Sequence, residues 1–197
     1  MNMKNTTQRT SVLSPPALRS DMKIEKLMES KIRNVPDWPK KGVSFKDITP
    51  LLREKKLFYK TIDFLISPYL KKKVDKIVGI DARGFILAAA AAYKLKTGLA
   101  IVRKKGKLPS KTVSRSYSLE YASNTLEMHE DSILPGERVV IIDDVLATGG
   151  TMAATVGLVK ELGGKIVGIE FLIELIYLKG RKNLKNQKIR SLLKYYQ

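Results

Sequence analysis

The chain has 197 residues, of which 44% are hydrophobic, and this suffices for the core of one α/β domain with peripheral additions. It contains no cysteine, so it forms neither a disulfide nor a thiolate metal site, which fits a reducing compartment. The longest apolar stretch, Phe85 to Tyr93, is too short to span a bilayer, and we see no signal-peptide pattern near Met1.

The formal net charge is +18, and it is unevenly distributed. Sixteen basic residues and no acidic ones lie in segments 1–20, 103–115 and 179–197, while the rest of the chain is nearly neutral. A basic chain is typical of nucleic-acid binding, but three separate basic segments equally fit one polyphosphate site and two solvated tails. Because no helix-turn-helix or zinc finger is visible, we expect no nucleic acid as a partner. Since charge runs are usually solvated faces, we expect no membrane either, with basic termini that act on an anionic membrane or a partner as the alternative.

Residues 1–20 are rich in Ser, Thr and Pro, and we expect a disordered extension there, with a weak transit peptide as the alternative. Apolar residues at helical spacing predict helices over 21–33 and 54–70, separated by a Pro-containing loop at 34–41.

From there on, predicted strands and helices alternate along the chain. Strands are expected at 76–80, 99–102, 138–143 and 166–175, helices at 82–95 and 151–162, and an antiparallel hairpin within 109–130. This order predicts an α/β fold, with a doubly wound, mostly parallel sheet and helices on both of its faces. We expect a single domain over 21–197.

One segment combines features of a phosphate site and a sugar site. Residues 139–152 read VVIIDDVLATGGTM, so that a hydrophobic strand ends in two acids and a glycine-rich turn opens a helix. Ligands of doubly wound sheets bind at the carboxyl ends of strands, and N–H groups at a helix start bind anions. Asp143 and Asp144 lie within reach of the hydroxyls of a ribose whose 5-phosphate sits in the turn. The turn matches neither the Walker nor the dinucleotide pattern, and the plain alternative is a capped strand–turn–helix.

This segment resembles the phosphoribosyl pyrophosphate signature of the type I phosphoribosyltransferases. The resemblance implies that the two aspartates bind the ribose. It implies that the 5-phosphate is bound by Ala147, Thr148, Gly149, Gly150 and Thr151. In these residues we expect positive φ and close backbone approach at the glycines and hydroxyl donors at the threonines.

A second segment, residues 32–50, reads IRNVPDWPKKGVSFKDITP and resembles the hood over the base in the adenine-specific branch of that family. The resemblance implies that Phe45 stacks on adenine and that backbone groups of Ser44 and Lys46 recognise the edge of the adenine ring. A weaker match at 170–181 implies that Leu175 contacts the other face of the ring. Ordinary core positions for Phe45 and Leu175 are the alternative.

A third segment, VGIDARGF at 78–85, resembles the pyrophosphate loop of the family. It implies that Asp81, Ala82 and Arg83 bind pyrophosphate and that the Asp81–Ala82 peptide bond is cis. Arg83 also counts as catalytic, because its planar guanidinium fork suits phosphate oxygens. A turn with a surface arginine is the alternative.

The segments IVRKKGKLP at 101–109 and SYSLEY at 116–121 resemble the mobile catalytic flap, which closes over the site and excludes water. The resemblance implies that pyrophosphate is bound by Arg103, Lys104, Lys107 and Tyr121. It assigns Glu120 as general acid or base for the purine proton.

The resemblance covers about residues 28–195 and implies transfer of phosphoribosyl to adenine, giving AMP and pyrophosphate in purine salvage. It also implies a cytoplasmic homodimer that uses Mg²⁺ bound through substrate oxygens and water, without direct protein ligands. Trp38, where phenylalanine is usual, departs from the family pattern. Two rivals remain: an enzyme for 6-oxopurines or orotate, and a nucleic-acid binder that senses a metabolite through this site.

Overall fold

The computed structural model describes residues 16–119 and 122–197, with side chains over 23–117 and 124–197. The chain divides into two compact units at Leu57 and Phe58. The disordered extension over 1–20 and the single domain over 21–197 stay predictions.

The first unit contains helices and one pair of short strands. Helix α1 spans Pro16–Glu29, strands β1 (Arg33–Val35) and β2 (Phe45–Asp47) pair antiparallel, and helix α2 spans Thr49–Arg53. The helix predicted over 21–33 is confirmed, although it begins five residues earlier and ends four residues earlier. Strand β1 overlaps the start of the loop predicted at 34–41, and β2 lies beyond that loop; neither was predicted, because strands of three residues are too short to show a period of two.

The second unit contains a seven-stranded sheet in the order β5-β6-β4-β3-β7-β8-β9. Its strands are β3 (Lys76–Ile80), β4 (Gly98–Lys104), β5 (Thr112–Leu119), β6 (Ala122–His129), β7 (Arg138–Leu146), β8 (Lys165–Leu175) and β9 (Ile189–Tyr195). Strands β4, β3, β7, β8 and β9 are parallel, and the β5–β6 hairpin is antiparallel. The predicted mostly parallel α/β sheet and its hairpin are therefore confirmed, and β9 is an additional strand.

Three further helices follow along the chain: α3 (Lys55–Ile66), which begins at the end of the first unit, α4 (Arg83–Leu95) and α5 (Gly150–Glu161). The connections β3-α4-β4 and β7-α5-β8 run in opposite directions along the sheet, so right-handed crossovers place α4 and α5 on opposite faces. Packing agrees: a Cβ at Gly79 would lie 2.7 Å from Ala88 of α4, while Val78 and Ile80 share a core cluster with Leu158 of α5.

The strand order reverses between β3 and β7, and this is where a doubly wound sheet binds its ligands. The loops that follow these two strands contain both anion-binding segments expected from the sequence. Within the described part of the chain, no helix has the length and apolar character needed to cross a membrane.

Candidate active site

The loop after β7 has the shape expected of an anion-binding turn. Four fully buried residues, 139–142, fix the strand in the core, and the chain then passes through residues 147–149 into α5. Gly149 adopts φ +84° as the residue that precedes the helix, a conformation that favours glycine. Residues 143, 145–149, 151 and 152 line a cavity of about 70 Å³.

Gly150 is needed for a different reason. It has no positive φ, but a Cβ at this position would lie 2.8 Å from the ring of Tyr117. Gly149 thus shows both the positive φ and the close approach expected of the two glycines, whereas the expectation of positive φ was wrong for Gly150, which shows only the close approach.

Two aspartates lie side by side at the mouth of this loop. The buried carboxylate of Asp144 pairs with Arg83, whose Nη2 lies 2.6 Å from Oδ2, while the Asp144 N–H donates to Oδ1 of Asp143 at 2.9 Å. Burial raises the pKa of Asp143 well above its usual range, and the neighbouring Asp144 charge adds to this. Burial also raises the pKa of Asp144, against the attraction of Arg83. Hydrogen bonds donated by hydroxyl groups would stabilise the ionised form of such carboxyls.

The loop after β3 meets the aspartates directly. A Cβ at Gly84 would lie 2.6 Å from Oδ1 of Asp143, so the two loops approach each other at a position that requires glycine. The Asp81–Ala82 peptide bond is cis, as predicted. The carboxylate of Asp81 accepts a hydrogen bond from Nε of Arg103 at 3.1 Å. The structure therefore pairs Arg83 with Asp144 of the loop after β7, and Arg103 with Asp81 of the loop after β3.

The base of the expected flap packs on the phosphate loop. The hydroxyl of Thr151 donates to the Tyr117 hydroxyl at 3.0 Å, so the β5–β6 hairpin is tied to the start of α5. At the end of β4, Arg103 donates to the carbonyl of Lys107 in the β4–β5 loop at 3.1 Å, and the side chains of Lys104 and Lys107 are exposed. Sequence reasoning assigned no role to Tyr117, although its alternation with residues 119 and 121 marks the hairpin.

Glu120 and Tyr121 lie outside the described residues. Their predicted roles as general acid or base and as pyrophosphate ligand stay predictions, as does the mobility of the flap.

The predicted base hood belongs to the first unit. Trp38 and Phe45 form an edge-to-face pair with ring centroids 4.3 Å apart. The nearly buried amine of Lys46 donates to Oδ1 of Asn34 at 2.9 Å and to the Ser44 hydroxyl at 3.2 Å, and burial lowers its pKa. In the second unit, Leu175 is buried at the end of β8.

Two adjacent aspartates ahead of an anion loop, one of them buried, at the switch point of a doubly wound sheet, are the arrangement of a phosphoribosyltransferase. A family model described as "Phosphoribosyl transferase domain" matches residues 51–192, which include both loops and the segment expected to form the flap.

Comparison with known proteins identifies the family of this chain more narrowly. It is 56% identical over 164 residues to the adenine phosphoribosyltransferase of Syntrophotalea carbinolica, covering 83% of this chain and 96% of the relative. The crystal structure of the Rhodothermus marinus adenine phosphoribosyltransferase superposes with a TM-score of 0.86 at 47% identity, covering 88% of this chain and 99% of that one. The chain belongs to the adenine phosphoribosyltransferase family.

One of the similar structures contains ligands. The Saccharomyces cerevisiae adenine phosphoribosyltransferase was crystallised with D-2,5-dideoxy-2,5-imino-altritol 1,6-bisphosphate and adenine. It superposes with a TM-score of 0.82 at 35% identity, covering 87% of this chain and 99% of that one.

Proposed function

We propose that this chain transfers the 5-phosphoribosyl group of phosphoribosyl pyrophosphate to adenine, giving AMP and pyrophosphate. The observation that carries the proposal is the adjacent pair Asp143–Asp144, which precedes the anion loop and of which Asp144 is buried and paired with Arg83. Membership of the adenine phosphoribosyltransferase family supports it.

Each part of the site has a task in this reaction. The loop 147–151 grips the 5-phosphate, and binding energy remote from the reacting carbon thereby positions that carbon. Asp143 and Asp144 hold the ribose hydroxyls. As the bond to pyrophosphate loosens, positive charge develops on the ribose, and these carboxylates place negative charge near it. The base attacks from the opposite side, with inversion at the anomeric carbon.

The leaving pyrophosphate is a polyanion and needs cationic partners. We assign Asp81, Ala82 and Arg83 of the loop after β3 to this group, together with a flap set of Arg103, Lys104, Lys107 and Tyr121. Glu120 then acts as general acid or base for the purine proton. Closing of the flap keeps water from competing with the base.

Mg²⁺ is the expected cofactor, and the donor set is compatible with an ion carried by the substrate. Among the described residues no cluster of three or more potential metal ligands occurs, and the Asp144 carboxylate is engaged by Arg83. Mg²⁺ prefers to keep several waters and to bind substrate phosphates, so it needs no protein cage. When bound, it would neutralise charge on the leaving pyrophosphate.

Selection of adenine is assigned to the hood. Phe45 would stack on one face of the base and Leu175 would contact the other, while backbone groups of Ser44 and Lys46 read its edge. The fixed Lys46 side chain supports this, because its bonds to Asn34 and Ser44 hold the short strand β2 in place.

We also propose a cytoplasmic homodimer. An apolar groove of about 330 Å³ between α3 and α4 supports the dimer, because it is lined by Phe58, Tyr59, Ile62 and Tyr93, and Tyr93 is 89% exposed. A second copy of the chain is the proposed occupant. Light scattering tests this: Tyr93→Asp is expected to halve the mass of the particle, and an unchanged mass contradicts this interface.

The direct test is a product assay with adenine, hypoxanthine, guanine and orotate side by side, each with phosphoribosyl pyrophosphate and with or without Mg²⁺. AMP from adenine, dependent on Mg²⁺, is expected. Preferred turnover of a 6-oxopurine or orotate would overturn the assignment of the base, and no turnover of any of them would overturn the assignment of the reaction.

A further inference from the structure

A short turn from the C-terminal part of the chain packs against the phosphate loop. This is the 3₁₀ helix Gly180–Asn183, which we call the bracing turn. A Cβ on Gly149 would collide with the carbonyl of Gly180, and a Cβ on Gly180 would collide with the carbonyl of Ala147. The two backbones are therefore in contact, and glycine is required on both sides.

Asn183 adds a directed contact. Its side-chain Nδ2 donates to the backbone carbonyl of Thr148 at 2.9 Å. Because a peptide unit is planar, this carbonyl and the Gly149 N–H belong to one rigid group and point in opposite directions. Holding the carbonyl therefore aims the Gly149 N–H, and an anion bound by that N–H lies on the side opposite Asn183.

Arg181 anchors the bracing turn to the sheet. Its guanidinium forms a two-point ion pair with the buried Glu174, at 2.6 and 2.7 Å, and also donates to the Ser191 hydroxyl at 3.1 Å and to the Ile189 carbonyl at 3.2 Å. Glu174 lies opposite Leu146, the last residue of β7 before the phosphate loop. The turn is thus fixed to the part of the sheet from which the loop emerges.

We propose that Asn183 is a positioning residue for the 5-phosphate, acting through the Thr148–Gly149 peptide, and that Arg181 holds the bracing turn in the place this requires. An anion loop that binds through N–H groups depends on their direction, so the loop needs a partner that sets the peptide plane. The inference rests on the proposed function, since it concerns the pocket assigned to the donor's phosphate.

Three variants test it. Asn183→Ala removes the donor, Asn183→Asp places an acceptor opposite the Thr148 carbonyl, and Lys182→Ala is the matched control on an exposed neighbour in the same turn. We would measure kcat, the KM for phosphoribosyl pyrophosphate and for adenine, and the melting temperature. Binding of ribose 5-phosphate alone would be measured by calorimetry.

Asn183→Ala is expected to raise the donor KM and the Kd of ribose 5-phosphate by about 3- to 10-fold, the effect of one hydrogen bond, with the adenine KM within about twofold. Asn183→Asp is expected to have the larger effect, and Lys182→Ala to stay within about twofold of wild type.

An unchanged Kd of ribose 5-phosphate in Asn183→Ala overturns the inference. So does an equal rise of both KM values with a lowered melting temperature, which indicates a merely structural role. Failure of the proposed function gives a different result: wild type would form no AMP, while the ratio of ribose 5-phosphate affinities would still test the bracing turn.

Discussion

Glu170 is the residue whose replacement gives the most quantitative prediction. It lies buried in the middle of β8, accepts a hydrogen bond from the Tyr69 hydroxyl at 2.7 Å, and has the Arg190 guanidinium 3.8 Å away. Burial raises the pKa of Glu170 to about 7, against the Tyr69 hydrogen bond and the Arg190 charge, which lower it. The neutral carboxyl therefore fits the folded protein better than the carboxylate does.

The size of the effect follows from linkage. The pKa lies about 2.5 units above its usual value of 4.5, which corresponds to about 3 kcal/mol. Since the folded-state pKa is the raised one, this stabilisation is complete below about pH 4.5 and is lost as the pH rises through about 7. Glu170→Gln keeps an acceptor for Tyr69 but cannot ionise. Its stability relative to wild type is thus expected to improve by up to about 3 kcal/mol from pH 4.5 to pH 8.

Thermal unfolding of both proteins at pH 4.5 and pH 8 measures this. For a chain of this length, about 3 kcal/mol corresponds to a gain of roughly 6–12 °C in the melting-temperature difference. Glu161→Gln is the control, because the ion pair of Glu161 with Arg115 is exposed and such surface pairs contribute less than about 1 kcal/mol to stability. A difference between Glu170→Gln and wild type that stays constant across this pH range would refute the reasoning.

Three further replacements have defined outcomes. Glu120→Ala should lower turnover more than substrate binding, and unchanged single-turnover chemistry would make the assignment of Glu120 wrong. Gly149→Ala forces a left-handed conformation on alanine and a collision with the Gly180 carbonyl, so urea unfolding should show a loss above about 2 kcal/mol; a wild-type midpoint contradicts this. Tyr117→Phe removes the acceptor for the Thr151 hydroxyl and should raise the donor KM by about 2- to 10-fold, with the adenine KM unchanged; equal changes in both argue against it.

Local pattern predicted the elements that build the site. The apolar run before Asp143 and the glycines after Thr148 mark β7, its loop and α5, because a buried strand and a helix start each have a residue signature. Strand β3 was predicted at its observed bounds for the same reason. The cis bond at Asp81–Ala82 came from resemblance to a family rather than from the residues themselves.

Contacts between distant residues could not be predicted in this way. Asn183 reaches Thr148 across 35 positions and Tyr69 reaches Glu170 across 101, and no local spacing encodes either pair. Strand β9 was missed because its apolar residues do not alternate. Gly150 was expected as part of the turn, but its close approach to Tyr117 depends on how a separate hairpin folds back onto α5.

The central claim is that the loop 147–151 holds a sugar phosphate while Asp143 and Asp144 hold the sugar. A crystal structure of the protein with AMP tests it most directly. The account predicts the 5′-phosphate within hydrogen-bond distance of the loop N–H groups and the ribose hydroxyls on the two carboxylates. A nucleotide bound elsewhere, with this loop empty, would contradict it.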